Sequence, residues 1–598
     1  MNQKVKDTGP LVLGPLMRHV DATSASVWVE TRDAGHVVVR ALDRSWEAAT
    51  FGVHGHHYAL VEVSDLEPGT VATYTVEIGG TPVWPPANTG YPPSVITTIK
   101  PDKPLRMAFG SCRTSVAHDQ EGNSTHGVDA MRAYALNMAS DTSVRWPDLV
   151  LFLGDQVYAD ETTEAMREFI ESRRDIKQAP WDELKDYEEY AHLYRLAWTE
   201  EANRWLLSTL PSAMIFDDHD IRDDWNTSLE WKQEMESTSW WHQRIVSGLA
   251  SYWVYQHLGN LSPVERAEDE VWQRIVSHAG ADELDLSDDL DALADRMDQE
   301  PDCYRWSYSR DFDDARLVVV DSRAARVLKE GHRSILDDAE MAWLDDRMRG
   351  GFKHLLVGTS LPFLLSPGLH HLEAWDEALV QGAWGKLGSR FGEKLRRTVD
   401  LEHWAAFQDG FQEVAQMAIA VADGKRGAAP DTVTFLSGDV HHSYVAEVDR
   451  GDGSRIIQAV CSPIRNPLPK YMRGVAAFLS YGLAGPMGAL VARSAKVPKP
   501  PFTWRPVKGP WFDNNLATLE DTDQGLKLWW ESGAIDNDDH ANPRLEEVAT
   551  VMVAPRSPGD GRSARPARSP WTRQLFSRVS TWTVRRVSGR ARRSRRPR

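Results

Sequence analysis

The sequence predicts an α/β protein with a small all-β domain in front of it. Continuous apolar runs such as PLRMAFG, DLVLFLG and TVTFLSG recur within residues 103–550, and long helical or irregular stretches separate them. Runs of this kind are typical of a buried sheet that helices cover. Residues 9–98 instead contain short β-branched or alternating segments, which predict a small all-β domain.

The N-terminal segments SASVWVET, HVVVRAL and YALVEVSDL are separated by Gly, Pro and Asp turns. The DLEPGT turn between two such strands resembles a fibronectin-like β-sandwich, and we place the domain boundary near residue 100. Farther along, residues 161–210 and 230–300 are rich in Glu, Leu, Ala and Trp. These two stretches predict helical insertions in the α/β domain.

Composition and cysteine spacing indicate a reducing compartment. The 598 residues are 41% hydrophobic and 26% charged, and no apolar run is long enough to span a bilayer. The three cysteines lie far apart without CxxC or zinc-ribbon spacing, which does not fit a disulfide framework. The first residues contain no apolar signal core. We therefore expect a cytoplasmic protein.

The net charge of −19 is unevenly distributed along the chain. Residues 556–598 contain fourteen arginines and one aspartate, so the preceding part is more acidic than the total indicates. An acidic surface repels polyanions, and nucleic acid is therefore not an expected partner of the body. Either the active site holds cations that reverse the local field, or polyanions meet only the tail.

Four predicted strands are followed directly by side chains that bind metals. The motifs are FGSC, GDQVY, DDHD and GDVHH, each at the carboxyl end of an apolar run. In α/β sheets, ligands gather beyond the carboxyl ends of strands because several loops meet there. A single motif has an ordinary structural explanation, since a lone cysteine is usually a small buried residue. The four together predict a site for two or more metal ions.

The series FGSC, GDQVY, DDHD and GDVHHS resembles the PhoD-type alkaline phosphatases and phosphodiesterases of the calcineurin-like metallophosphoesterase superfamily. The resemblance covers about residues 9–535, and the cysteine of the first motif and the tyrosine of the second are specific to this branch. It implies a four-layer αββα core behind the β-sandwich. It also implies an Fe3+ ion and a divalent cation, Ca2+ or Mn2+, with more than one divalent ion expected.

The resemblance assigns the metal ligands as Cys112, Asp155, Tyr158, Asp218, Asp439 and His441. The cysteine, the tyrosine, the histidine and Asp155 would bind Fe3+. Asp155 would bridge to the divalent ion, which the other two aspartates also bind. Ligand chemistry supports this division, because thiolate, phenolate and imidazole suit iron whereas carboxylates suit a hard cation.

The same resemblance implies hydrolysis of phosphate mono- or diesters by a metal-bound hydroxide that attacks phosphorus. His219 would act as the general acid that protonates the leaving alkoxide, and Asp220 would orient His219. Asp223 and Asp224 stand where the family commonly has Asn-Asn. Their added negative charge leaves the identity and number of the divalent ions open.

Two arginines are candidate contacts to the substrate phosphate. Arg113 stands where the family often has Gln, and a guanidinium can bind a phosphate with two hydrogen bonds. Arg323 lies in a segment that resembles the family's DxR sequence. For Arg323 a structural ion pair is as well supported as a substrate contact.

Two other functions remain open. A phospholipid-directed diesterase is one, because the basic tail is a candidate membrane anchor. A metal- or phosphate-binding scaffold without turnover is the other, although His219 and all four motifs argue against it.

The basic tail is predicted to form an interfacial helix on an anionic membrane, which would place the protein at the inner face of that membrane. The apolar residues Trp571, Leu575, Phe576, Val579 and Trp582 recur at spacings of three or four, with arginines between or after them. A solvated disordered tail and a nucleic-acid-binding tail are the alternatives.

Truncation after Pro555 tests the predicted anchor. We expect the shortened protein to keep its hydrolytic activity but to lose sedimentation with anionic vesicles. The binding of the full-length protein should weaken with salt, because salt screens the attraction between arginines and lipid headgroups. If the full-length protein does not sediment with anionic vesicles at low salt, the tail is not an anchor.

Overall fold

The structure is a computed structural model, and it describes residues 9–280, 282–329, 331–398, 401–451, 453–469, 472–474 and 484–554. The basic tail at 556–598, with its predicted interfacial helix, lies outside these residues. Each helix in the described part of the chain is too short or too polar to traverse a lipid bilayer.

The N-terminal region is a β-rich domain of ten short strands. The strands are β1 (Leu11–Val20), β2 (Ala25–Thr31), β3 (His36–Ala41), β4 (Arg44–Ala49), β5 (Phe51–Val53), β6 (His56–Val63), β7 (Val71–Thr73), β8 (Thr75–Ile78), β9 (Thr81–Trp84) and β10 (Val95–Thr97). β1, β2, β6 and β5 form one antiparallel arrangement, and β4, β3, β8 and β9 form another. Valines of both sheets, including Val27, Val37 and Val76, share one core.

The first half of the α/β domain contains three apolar parallel strands and most of the helices. Its elements are β11 (Arg106–Gly110), α1 (Gln120–His126), α2 (Ala130–Ser140), β12 (Leu149–Leu153), α3 (Glu164–Arg173), α4 (Tyr187–Trp198), α5 (Glu201–Thr209), β13 (Ser212–Ile215), α6 (Leu229–Glu236), α7 (Trp241–Tyr252), α8 (Pro263–Glu268), α9 (Glu270–Ser277), β14 (Leu284–Asp285) and α10 (Ser287–Gln299). The helical insertions predicted at 161–210 and 230–300 are confirmed, because they contain α3–α5 and nearly all of α6–α10.

The second half supplies the other sheet and the return strands. Its elements are β15 (Tyr308–Asp311), β16 (Ala315–Val320), α11 (Asp338–Arg347), β17 (His354–Thr359), α12 (Pro367–Val380), α13 (Gly385–Arg396), α14 (Gln408–Ala422), β18 (Thr432–Ser437), β19 (Ser443–Val448), β20 (Arg455–Val460), α15 (Ala484–Ser494), β21 (Trp504–Trp511), β22 (Leu516–Thr522), β23 (Gly525–Ala534) and β24 (Arg544–Val553).

Two sheets form the centre of the α/β domain. The six-stranded sheet has the order β13-β12-β11-β22-β23-β24, and β11, β12 and β13 run parallel. The seven-stranded sheet has the order β15-β16-β17-β18-β20-β19-β21, and β16, β17, β18 and β20 run parallel. Parallel neighbours end at the same edge of a sheet, so the loops after these strands can meet.

The apolar strands are buried on both faces because successive side chains point to opposite sides. Met107 and Phe109 of β11 share a core with Leu317 and Val319 of β16. This core lies between the two sheets. Ala108, between the first two, instead packs into the core under α2, α4, α5 and α7. A third core separates the seven-stranded sheet from α11 and α14. The layers are therefore helix, sheet, sheet and helix, and the predicted four-layer αββα fold is confirmed.

Candidate metal centre

The loops after β11, β12 and β18 bring the predicted iron ligands together. Cys112, Asp155 and His441 each offer one ligand atom, and these atoms lie within 4.8 Å of one another. The Cys112 Sγ is 3.3 Å from Asp155 Oδ2, and the Tyr158 hydroxyl donates to the same oxygen over 3.4 Å. A thiol, a phenol, an imidazole and a carboxylate therefore surround one small volume.

A second donor group consists of carboxylates alone. Asp155, Asp217, Asp218 and Asp439 also have ligand atoms within 4.8 Å of one another. Asp155 belongs to both groups, as a bridging ligand would. Asp217 is a site residue that the sequence analysis did not assign. Its signal was its position directly after a buried strand, in the same DDHD motif as Asp218.

Four of the predicted ligands have a left-handed backbone. The φ angle is 58° at Cys112, 51° at Asp155, 64° at Asp439 and 50° at His441. Residues other than glycine rarely adopt this conformation, and it persists only where the surrounding structure imposes it. The tight turns after the strands point these side chains toward one another, so the strain is concentrated in the donor groups.

A glycine precedes each of the two aspartates that follow β12 and β18, and both glycines are required by close packing. A Cβ on Gly154, whose φ is +96°, would lie 2.5 Å from the Asp217 Cβ. A Cβ on Gly438 would lie 1.9 Å from the Ser111 Oγ. The strand-end loops therefore pack against one another directly, and a side chain at either glycine would push the donor groups apart.

The buried carboxylates fit bound cations. Among the described residues, Asp155 Oδ1 and Asp217 Oδ2 are buried and have no hydrogen-bond partner. Burial and the neighbouring Asp217 raise the pKa of Asp155 well above its usual range, and burial raises the pKa of Asp217 to about 8. Carboxylates are buried in ionised form only when they are paired or bind metals. The carboxylate oxygens therefore offer ligands to a cation, and a bound cation would offset the cost of burying their negative charge.

The sulfur and phenol donors lead to the same conclusion. Burial raises the pKa of the Cys112 thiol and of the Tyr158 phenol well above their usual ranges. A metal ion reverses this tendency, because it deprotonates a coordinating thiol. Burial lowers the pKa of His441 to about 4, so its imidazole is neutral near pH 7 and has a lone pair for a metal.

Arg323 holds the carboxylate group in place. Its side chain is fully buried, and its Nε is bonded to Asp217 Oδ1. One terminal nitrogen lies 3.0 Å from Asp218 Oδ1, and the other donates to Glu402 Oε2 over 2.6 Å. Arg323 was a candidate substrate contact with a structural ion pair as the alternative. This geometry supports the ion pair.

Arg113, the other candidate substrate contact, is also buried. Its Nε and Nη2 donate to Asp129 Oδ2 over 3.0 Å and 2.8 Å, and its Nη1 donates to the Ala197 carbonyl over 2.7 Å. A contact between Arg113 and a substrate phosphate would require this ion pair to break. In this structure Arg113 connects the loop after β11 to α2 and α4.

His219 is oriented by Asp160 and not by Asp220 as predicted from sequence. The His219 Nδ1 is 2.9 Å and 3.1 Å from the two Asp160 oxygens. Asp220 Oδ2 instead accepts hydrogen bonds from the backbone N–H groups of Asp155 and Asp217. The reason is local, because Asp218–Asp220 form a 3₁₀ turn that sends adjacent side chains in different directions.

The charge on Asp160 also governs the protonation of His219. Burial acts to lower the pKa of His219, but the carboxylates of Asp160 and Asp218 outweigh it and raise the pKa well above its usual range. Because Asp160 holds Nδ1, Nε2 is the ring nitrogen that remains for other partners. Asp218, His219 and Asp223 also form a third group of closely spaced donor atoms.

A buried histidine that the sequence analysis missed supports Asp439. The His403 Nε2 is 2.8 Å from Asp439 Oδ2, and its Nδ1 is 2.8 Å from Glu373 Oε1 on α12. A carboxylate–histidine pair behind a metal ligand fixes the orientation of that ligand. His403 precedes a 3₁₀ turn and follows no strand, so the strand-end pattern could not have identified it.

A cavity of about 550 Å³ lies beside this centre. Asp160 lines it together with Thr114 and Asn466, and the Asn466 side chain acts to lower the pKa of the Tyr158 phenol. Its other charged lining residues are mostly acidic: Asp119, Glu121, Glu161, Glu164, Glu168 and Asp182, with Arg167 as a cation. This cavity, which Asp160 lines, is therefore large enough for a small ester, and its charge is unfavourable for a polyanion.

Comparisons with known proteins are consistent with this geometry. The family model described as PhoD-like phosphatase matches residues 108–477, and a domain of unknown function, DUF7800, matches residues 8–96. A solved structure described as the structure of PhoD is 13% identical and has a TM-score of 0.53; the match covers 91% of this chain and 93% of that chain.

A purple acid phosphatase, PPD1 from yellow lupin (Lupinus luteus) seeds, is 10% identical and has a TM-score of 0.45; the match covers 93% of this chain and 77% of that chain. The sequence matches no curated protein. The likeness to PhoD shows the fold, and the family model spans more than half of the chain. The resemblance predicted from the four motifs is thereby confirmed. The chain belongs to the PhoD-like phosphatase family and is a metal-dependent hydrolase of phosphoric esters.

Proposed function

We propose that this protein hydrolyses phosphate mono- or diesters at a centre that holds Fe3+ and one or more divalent cations, Ca2+ or Mn2+. The observation that carries the proposal is the shared position of Asp155. It joins a group with thiol and imidazole donors to a group of carboxylates alone. The first group suits iron and the second suits a hard divalent cation.

The residues of the chain divide the chemistry between them. Cations at the two donor groups would lower the pKa of a water molecule and neutralise charge on the phosphoryl oxygens. His219 supplies the proton for the leaving group from Nε2, because Asp160 occupies Nδ1 and favours the protonated ring. Asp439 is kept in orientation by His403, and Asp217 and Asp218 by Arg323.

The acidic cavity lined by Asp160, the partner of His219, supports a small ester as the substrate and disfavours nucleic acid, as the charge of the body predicts. The cytoplasmic location stays a prediction. Arg113 as a substrate contact stays a prediction, and a phosphate would have to compete with Asp129 for it.

Two measurements on the same preparation distinguish an enzyme from a binding scaffold without turnover. We expect the purified protein to contain iron together with a divalent metal. We also expect it to hydrolyse bis-p-nitrophenyl phosphate or p-nitrophenyl phosphate. Bound metals without turnover of either ester would support the scaffold and contradict the proposed activity.

Tyr158 is expected to give the iron-loaded protein a visible colour. A phenolate bound to Fe3+ absorbs visible light by charge transfer from the ligand to the metal, so Tyr158→Phe should remove or strongly shift the absorption band. Tyr134→Phe is a matched control, because Tyr134 is a buried tyrosine whose hydroxyl contacts Thr518 away from the donor groups. A colourless, iron-free protein with full activity would contradict the iron assignment.

His219→Asn is expected to slow alkyl esters more than p-nitrophenyl esters. General acid catalysis contributes ~10²–10⁴-fold, and p-nitrophenolate leaves with little need of a proton. Asp160→Asn should reproduce part of this difference, because it removes the charge that keeps His219 protonated. His242→Asn, at an exposed histidine on α7, should leave both rates unchanged. Equal losses on both ester classes would assign His219 to metal or phosphate binding instead.

His403→Ala is expected to weaken binding of the divalent cation by ~10–100-fold, as loss of a residue behind a metal ligand typically does. Iron content should stay, because His403 is bonded to Asp439 and not to the iron donors. His403→Gln, which can still donate to Asp439, should restore part of the affinity. His354→Ala is the control, since this buried histidine pairs with Asp521 outside the site. Unchanged divalent metal content in His403→Ala, measured by titration, would refute the assignment.

A further inference from the structure

Two helices pack on α12 through their smallest residues. A Cβ added to Gly392 of α13 would lie 3.0 Å from Val380 and 3.2 Å from Leu379. A Cβ added to Gly488 of α15 would lie 2.9 Å from the His371 Cβ. Close contact with α12 therefore depends on the absence of side chains at these two glycines. The buried residues are Gly392 and Arg396 on α13 and Ala492 on α15.

The large apolar residues of these helices are on the outside. The exposed fractions are 81% for Leu387, 58% for Phe391 and 68% for Leu490. We define the apolar patch as these three residues with Trp384, Met487 and Val491, all of them exposed. The spacing on α13 is three and four residues, which places its members on one face. A surface helix normally buries such a face against the core, so the arrangement here is the reverse.

The two parts of the patch are neighbours. The Trp384 indole N–H, just before α13, donates to the Ser494 carbonyl at the end of α15 over 3.4 Å. A cavity of about 230 Å³ adjoins α15, and Phe502 and Trp504 line it together with Arg493 and Lys499. The two helices therefore carry one patch, and an aromatic recess whose lining includes two cations lies next to α15.

Basic residues surround the patch. Lys386, Arg390 and Lys394 on α13 and Arg493, Lys496 and Lys499 in and after α15 are all exposed. Within 385–398 and 484–500 the sequence contains one acidic residue, Glu393, which pairs with Arg396. The whole chain carries a net charge of −19. A local concentration of cations around exposed apolar residues is therefore contrary to the composition of the protein.

We propose that the apolar patch docks this protein on an anionic lipid bilayer. Apolar side chains ringed by Lys and Arg match an interface in which acyl chains lie beneath negatively charged headgroups. A second copy of the chain is a poorer occupant, because a two-fold contact would bring the same cations face to face. The basic tail is a separate candidate anchor, and the patch rests on different residues and on structural observations. If the patch docks as proposed, a protein truncated after Pro555 should keep part of its binding to anionic vesicles, whereas the tail alone as anchor predicts complete loss.

The position of α12 connects the docked surface to the metal centre. Glu373 lies on α12 and is bonded to His403, which is bonded in turn to Asp439. The helix that supports the patch thus also supports the carboxylate donor group. The docking itself does not depend on which ester is hydrolysed.

Co-sedimentation of the full-length protein with vesicles tests the proposal. We expect binding to vesicles of phosphatidylcholine and phosphatidylglycerol in equal parts, and little binding to phosphatidylcholine alone. The triple variant Leu387→Ser, Phe391→Ser, Leu490→Ser should lower the partition coefficient on the order of tenfold or more. The double variant Val264→Ser, Val276→Ser should bind as the unmodified protein does, because these valines are equally exposed but lie on α8 and α9.

A charge variant gives an independent measurement should the triple variant fold poorly. Lys386→Gln, Arg390→Gln, Lys394→Gln should weaken binding at low salt and have less effect at high salt. Hydrolysis of a p-nitrophenyl ester and the melting temperature should stay unchanged in this variant. Every variant keeps the tail, so a difference in vesicle binding between a variant and the unmodified protein reports the contribution of the patch.

Three results would overturn the proposal. The first is unmodified vesicle binding in both patch variants, which would assign any binding to the tail. The second is failure of the full-length protein to bind anionic vesicles at low salt. The third is a concentration-dependent dimer that the triple variant loses, which would make a second copy the occupant of the patch.

Discussion

The crowding of four buried carboxylates is the constraint on which the rest of this structure depends. Asp155, Asp217, Asp218 and Asp439 lie within ligand distance of one another, and Arg323 is the buried cation paired with two of them. Moving a carboxylate out of water costs on the order of several kcal/mol per ion even after relaxation. The guanidinium, which also pairs with Glu402, and the His403 imidazole beside Asp439 offset only part of this cost. Cation binding and the native arrangement of the loops are therefore coupled.

The architecture supplies rigid positions for groups that repel one another. The parallel strands of both sheets end at one edge, and the tight turns after them hold four ligands in left-handed conformations. Gly154 and Gly438 allow neighbouring turns to pack without intervening side chains. Strain of this kind persists only because buried sheets on either side leave the turns no room to relax. The precision of the donor groups thus comes from the sheets and not from the loops themselves.

Sequence patterns predicted the parts of the site that belong to strand ends. Cys112, Asp155, Asp218 and Asp439 each follow an apolar run, and the structure brings them together as expected. The four-layer fold was predictable for the same reason, since doubly buried strands have a distinctive composition. The β-rich leader was visible in its short alternating segments.

The residues that sequence reasoning missed act through contacts between distant segments. Asp160 follows Tyr158 by two positions, yet only the fold shows that it reaches His219 ahead of the adjacent Asp220. His403 lies outside any strand-end motif, and its role depends on Glu373 from another helix. The sequence analysis named Arg113 and Arg323, but it could not tell an arginine that binds phosphate from one in an ion pair, because both carry the same charge. The buried ion pairs became visible only once Asp129 and Asp217 had been located in space.

The short strand β14 has a consequence for how the chain is assembled. It pairs in parallel with β5, so a segment of the helical insertion completes a sheet of the N-terminal domain. Glu283, next to it, accepts a hydrogen bond from Thr50, a residue 233 positions earlier. During synthesis the N-terminal sheet therefore emerges with an open edge, and its last strand arrives only after most of the insertion has been translated. Each region thus contributes a strand to the same sheet. Exchanging the N-terminal domain between relatives would require the β14 segment to be transferred with it.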